Sequence, residues 1–166
     1  MTKTWGRYGY EYDDYLEIVL RSYSKMDEVQ LSSYIVKRMF DVKDEKIMFA
    51  TKLKNFSFVS YLNKIDIDDI INYSSTCLNY ALKIYKGLPR GFQNGVSTFN
   101  VLVSENVSDE AKKFAITRPR KHFAAFEMPI IVDLSNENIF YYKNTPMWGG
   151  LYYRYFREFI DKHFNI

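Results

Sequence analysis

The chain has 166 residues, 47% of them hydrophobic and 26% charged, with a formal net charge of +3. Those values fit one globular domain that buries a core and exclude a disordered chain. A lone cysteine, Cys77, excludes an internal disulfide framework and a cysteine-rich metal centre, and the mild charge permits a polyanionic partner without demanding one.

The N-terminus carries no apolar signal region, and no apolar run reaches membrane-spanning length, so the expected setting is the cytoplasm with no membrane partner. Aromatics are abundant, with 15 Tyr, 13 Phe and 2 Trp. A stacking surface for bases would need basic residues interleaved on the same face. The parallel excess of Lys, Asn and Ile points instead to compositional bias and core packing. The load still exceeds what a small core readily hides, so a homo-oligomer formed through exposed aromatics is expected.

In chain order, residues 1–12 are Tyr- and Gly-rich without a period and read as an N-terminal arm. Residues 13–166 form a single α+β domain. From Asp13 to Phe40 the pattern fits a helix, with Leu16, Val19, Leu20 and Tyr23 on one face, but "EIVLRSY" fits a strand equally well. Two runs, Lys46–Leu53 and Phe56–Leu62, flank Lys54-Asn55 and predict a β-hairpin turning there. A helix follows from Ile67 to Lys86. Asp66 caps it, Asp68 and Asp69 suit its first turn, and Gly87 takes a left-handed cap before Pro89. Its expected buried stripe is Ile67, Ile71, Ser74, Leu78, Ala81 and Tyr85, with Cys77 beside it as a small packed residue.

After the loop "GLPRGFQNG" come a strand "VSTFNVLVS" and a short helix capped by Ser108. A strand through "KHFAAF" follows, and then a hairpin made by "IIVDL", the turn "SNEN" and "IFYYK". Thr145 is placed as the cap of the last helix, with Pro146 at its first position and Trp148, Leu151, Tyr152, Tyr155, Phe159 and Ile160 as its buried stripe. From residue 46 onward the order is β-β-α-β-α-β-β-β-α, a mixed, mostly antiparallel sheet packed against helices.

Chemistry-bearing residues gather in two places. In "TRPRKHFAAFEMPIIVDL", four cationic or potentially cationic side chains, Arg118, Arg120, Lys121 and His122, precede two carboxylates, Glu127 and Asp133. On a straight strand those carboxylates share a face but lie about 20 Å apart, too far to share one metal. A bend at Pro129 would be needed to bring these groups into one site. Without it, Glu127 ends a strand and Asp133 hydrogen-bonds in the next turn. The second place is the loop, where Gly87, Gly91 and Gly95 permit close backbone approach and Arg90, Gln93 and Asn94 supply directed donors.

Restriction-type nucleases pair an acid with an acid-x-Lys motif on adjacent strands. Asp41-Val42-Lys43, Asp44-Glu45-Lys46 and Glu110-Ala111-Lys112 match only the short pattern, and none follows a strand in the needed order. No phosphate-binding glycine motif, zinc motif or nucleophile elbow is present, so no cofactor and no metal ligand is assigned. His122 has no companion histidine.

Two functions follow. The first is a non-catalytic binding or interaction module with a site for an anionic or polar ligand, using Arg90, Gln93, Asn94, Arg118, Arg120, Lys121 and His122. The alternative is an enzyme acting on an anionic substrate, nucleic acid included, with Glu127 or Asp133 as acid, base or metal ligand. The predicted site lies between the glycine loop and the strands around Glu127.

Overall fold

The computed structural model describes residues 11–41, 45–48, 51–91, 93–147 and 149–166. In chain order the elements are α1 (Tyr12–Leu20), β1 (Lys25–Leu31), β2 (Tyr34–Phe40), β3 (Glu45–Met48), β4 (Thr51–Tyr61), α2 (Ile67–Ile84), β5 (Asn94–Ser104), α3 (Asp109–Ala115), β6 (Lys121–His122), β7 (Ala125–Asp133), β8 (Asn138–Phe140) and α4 (Gly150–His163). The fold is α+β: an open, mixed eight-stranded sheet in the order β1-β2-β4-β5-β7-β6, with β3 on β4 and β8 on β7. The central trio β4, β5 and β7 runs parallel. The outer pairings are antiparallel. No helix among the described residues is long and apolar enough to cross a membrane.

The parallel arrangement explains why β5 shows no polar alternation. Every residue from Asn94 to Ser104 is buried, because helices cover both faces of a parallel sheet. One core, around Phe99, Met128 and Ile130, takes in Tyr15 and Val19 of α1 and Phe156 and Ile160 of α4. The other, around Phe58, Val96, Leu102 and Ile131, takes in α2 and α3. The aromatic excess is largely spent here. Phe99 stacks on Phe159 at 4.1 Å and meets Phe156 edge-on at 5.9 Å.

The element order from β3 onward is the predicted one, and several local readings are corrected. The ambiguous first segment divides into α1 and the β1–β2 hairpin. Lys54-Asn55 is not a turn: β4 runs straight through it, and β3 meets β4 one residue pair at a time from Glu45↔Lys54 to Met48↔Thr51. Residues 49–50, between β3 and β4, lie outside the described residues, as do residues 1–10 of the predicted arm. Parallel pairing of Lys52–Tyr61 with β5 keeps this strand extended, a long-range constraint that outweighs the turn preference of Asn.

For α2, the Asp69 carboxylate accepts the Asp66 N–H at 2.7 Å and closes the start of the helix as the capping pattern requires. The end differs. Tyr85 leaves the helical conformation, and Gly87 does not adopt the left-handed one. A Cβ at Gly87 would instead run into the Tyr85 ring, whose hydroxyl reaches back to the Leu88 carbonyl at 3.0 Å. The buried face is Ile70, Tyr73, Ser74, Cys77, Leu78 and Ala81, so Ser74, Leu78 and Ala81 hold as predicted, Cys77 joins the stripe, and Ile67, Ile71 and Tyr85 leave it. Burial pushes the Cys77 thiol up, which keeps it protonated.

The last helix starts at Gly150 after a left-handed Gly149, with Pro146 in the approach, and buries Tyr153, Phe156, Ile160 and His163. Aromatic residues spread over about half of this helix's circumference, so periodicity could not single out which part of that half packs. Trp148 lies outside the described residues. Pro129 introduces no bend. It pairs opposite Asn100 within a continuous β7, in the gap between the β6 and β8 pairings, where a missing N–H costs little.

Candidate functional site

Three groups of polar side chains lie on the α2 side of the sheet. The first is built on β5, β7 and α2. Thr98, Asn100 and Glu127 point toward α2 because they share strand parity with Val96, Leu102 and Ile131 of that core. Glu127 is 1% exposed. Its carboxylate receives Arg120 through Nε at 2.7 Å and Nη2 at 3.1 Å, the Ser74 hydroxyl at 3.0 Å and His122 Nε2 at 3.3 Å. A fork-shaped guanidinium on a carboxylate is the strong form of such a pair. Arg120 also donates to Ser75 Oγ at 2.8 Å, and the Asn100 amide donates to Ser74 Oγ at 2.9 Å and Thr98 Oγ1 at 3.0 Å. The buried carboxylate is thus surrounded by donors from α2, β6 and the segment before it.

The second group is at the other end of β7. Asp133 accepts Ser135 N–H and Asn136 N–H on Oδ1, Asn136 Nδ2 at 2.7 Å on Oδ2, and Lys112 of α3 at 3.0 Å. Burial raises this carboxyl's pKa. The donors from Asn136 and Lys112 outweigh that effect and hold it below its usual range. These contacts organise the turn to β8. Glu127 and Asp133 remain at opposite ends of a straight face, so the structure does not bring the two candidate carboxylates together.

The third group was not singled out in the sequence. Past the end of α2, a cavity of about 320 Å³ is lined by Lys52, Lys54 and Phe56 of β4, Asn94 of β5, Glu45 of β3, and the segment Ile84–Leu88. Three lysines, Lys52, Lys54 and Lys86, converge there, and Glu45 is the one carboxylate among the described lining residues. Glu45 meets Lys52 at 2.9 Å. Both are about half exposed, so this pair is solvated and weak. Phe56, Ile84, Tyr85 and Leu88 supply the apolar part of the lining. Lys52, Lys54 and Phe56 share a face by strand parity, a regularity hidden when a turn is placed at Lys54-Asn55.

The remaining predicted residues divide among these places. Asn94 lines the lysine cavity. Arg90 does not pair with Glu127. Its Nη1 donates to the Phe123 carbonyl at 2.7 Å, and Gly91, at φ 96°, packs against the Phe123 ring. The glycine loop therefore docks on the β6–β7 turn. Gln93 has a positive φ of 57°, and its carbonyl accepts Lys52 N–H at 2.7 Å, which fixes the loop to the start of β4. Arg118 lies beside Tyr153 of α4, where its charge works against the rise that burial gives the Tyr153 pKa, while Lys121 is exposed at the β6 edge. The run "RPRKH" is thus split between two faces, with only Arg120 and His122 meeting Glu127. Among the described residues, no group of three His, Cys, Asp or Glu is arranged to hold a metal ion.

Comparison of the chain with protein-family models, with curated proteins and with solved structures gave no match.

Proposed function

We propose that this protein is a binding module for an anionic ligand, held in the lysine-lined cavity at the mouth of β4 and β5. The observation that carries this reading is that Lys52, Lys54 and Lys86 line one concave space, where Glu45 is the one carboxylate among the described lining residues. Like charges brought together repel, and an anion placed among them removes that cost. The apolar lining gives the same ligand a body to rest on, as small-molecule sites generally do. The Glu127 group makes a poorer anion receptor, because Arg120 and His122 are already turned onto a carboxylate of the protein itself.

The reading includes a cytoplasmic setting, which suits a buried free thiol at Cys77. It also includes self-association, for which Met147 and Leu151 offer exposed apolar surface at the start of α4. A single monomeric species in sedimentation at tens of micromolar would remove that part.

The site is tested by melting the protein across a pyrophosphate titration. Wild type should gain melting temperature with ligand, because binding only the folded state stabilises it. Lys52→Ala/Lys86→Ala should melt at a similar temperature without ligand and lose the gain. An equal gain in the variant, or none in wild type, would overturn the assignment.

A further inference from the structure

The lysine cavity does not stand alone. Lys54, Phe56 and Ile84 also line a second hollow of about 70 Å³, which continues to Arg38, Phe40 and Phe58. Phe56 therefore stands between the two spaces and contributes to both. Beyond it, Arg38 lies over the Phe40 ring at 5.3 Å and over the Tyr80 ring at 5.8 Å, and Lys25 lies over Phe40 at 5.8 Å. All these side chains belong to the α2 side of the sheet. Arg38 and Phe40 share strand parity with Val36, and Lys52, Lys54 and Phe56 share it with Phe58. The result is a track on which cations alternate with aromatic rings: Lys86, Lys52 and Lys54, then Phe56, then Arg38, Phe40 and Lys25. Asp27 holds Arg38 through Nε and Nη2, and Tyr80 accepts Nη1, so Arg38 keeps the Phe40 and Tyr80 rings in place, while the solvated Glu45–Lys52 pair leaves the lysine end of the track cationic.

Resting on the anion-binding reading above, we propose that the ligand is a single strand of nucleic acid. Its phosphates would follow Lys86, Lys52 and Lys54, and one unstacked base would rest against Phe56. Interleaved cations and rings on one face are the arrangement a single strand needs: the charges meet the backbone, and a ring meets a base irrespective of its identity. A bare inorganic anion would use the lysines and leave Phe56 idle. A duplex keeps its bases stacked and offers nothing to a ring set between two hollows. A free mononucleotide shares the base and phosphate chemistry but leaves the Phe40 ring and Lys25 beyond it unused, which is why the strand is favoured.

The test measures binding by fluorescence anisotropy with a short labelled oligothymidylate, with thymidine monophosphate, pyrophosphate and duplex DNA as competitors. The oligothymidylate should bind with a steep salt dependence. Lys52→Ala/Lys86→Ala should flatten the log–log salt slope by about 1.4, the share of two phosphate contacts on a single strand. Phe56→Leu should weaken the oligonucleotide about tenfold, the order of one lost stacking contact, and leave pyrophosphate binding unchanged. If pyrophosphate competes as well as the oligonucleotide does, and Phe56→Leu changes neither, the anion site stands and the nucleic-acid assignment falls. If thymidine monophosphate equals the oligonucleotide, the ligand is a free nucleotide and the strand is wrong. Preference for duplex would also overturn the proposal. If neither pyrophosphate nor any nucleotide binds, the underlying anion-binding reading falls with it.

Discussion

The two ends of one loop meet opposite electrostatic solutions. Near Glu127, the Arg120 guanidinium is folded onto a buried carboxylate and held by a fork of hydrogen bonds. Near Lys86, three lysines line a cavity in which the half-exposed Glu45 is the one acid among the described residues. The first arrangement couples charge to stability, since removing one partner strands the other in a place with little water. The second keeps charge at a solvated surface, and Lys52 and Lys86 can be removed at small cost to the fold. A cluster of cations in a sequence carries no sign of which solution applies. The difference is set by whether a carboxylate is buried within reach.

Arg120→Ala should give the largest effect, a loss on the order of 3 kcal/mol in urea denaturation, because the Glu127 carboxylate remains buried without its fork. The Arg120→Met/Glu127→Leu pair should lose less than the two single changes added together, because the stranded charge is gone. Strict additivity would mean that the two groups do not support each other. Arg120 is 43% exposed, so water relieves part of its own penalty, and Glu127→Leu alone should cost less than Arg120→Ala.

An intermediate effect is expected at His163, a buried ionisable side chain outside both groups. Burial first, and Lys162 second, lower its pKa to about 4, and its Nδ1 lies 2.8 Å from Ser22 Oγ. The unfolded imidazole takes up its proton near the usual value of about 6.5, before the folded one does. Its contribution is therefore complete above about pH 6.5 and falls progressively toward pH 4. His163→Gln should lower stability at pH 7.5 and narrow its gap to wild type by pH 5, measured by urea denaturation at both values. A gap that stays constant with pH would show that the imidazole is not being held neutral.

The smallest effect belongs to the lysines. Lys52→Ala/Lys86→Ala should move stability by no more than about 0.5 kcal/mol, as expected for solvated surface charges. A large loss would place these lysines in a structural network and erase the contrast with Arg120.

The helix α2 shows what local chemistry is sufficient to decide. Its start depends on Asp66 and Asp69, three residues apart, so the chain within one turn specifies it. Ser108 is a second such case, its hydroxyl accepting the Ala111 N–H at 3.2 Å. The order of elements after residue 45 and the mixed sheet were legible for the same reason, since periodicity and caps are short-range. The buried face of α2 was legible in part, at Ser74, Leu78 and Ala81, and that of α4 at Ile160. Apolar residues cover several sides of both helices, and only the packed strands select among them.

For the candidate sites the division is sharper. The sequence by itself identified Arg120, His122 and Glu127 as neighbours in one segment, and Asp133 as a turn former. It also determined the charge, the single thiol and the supply of aromatic rings. Tertiary structure alone decided that Ser74 of α2 would close the Glu127 group, that Pro129 would lie in an unbent strand, and that Arg90 would hold Phe123 instead of a carboxylate. It also decided that Lys52, Lys54 and Phe56 would form one wall with Lys86. The physical reason is the parallel sheet. Strands β4, β5 and β7 are adjacent in space but separated in the chain by helices and loops, so their register is fixed by mutual hydrogen bonding and by the helices that cover them. No short stretch of sequence contains both sides of that contact.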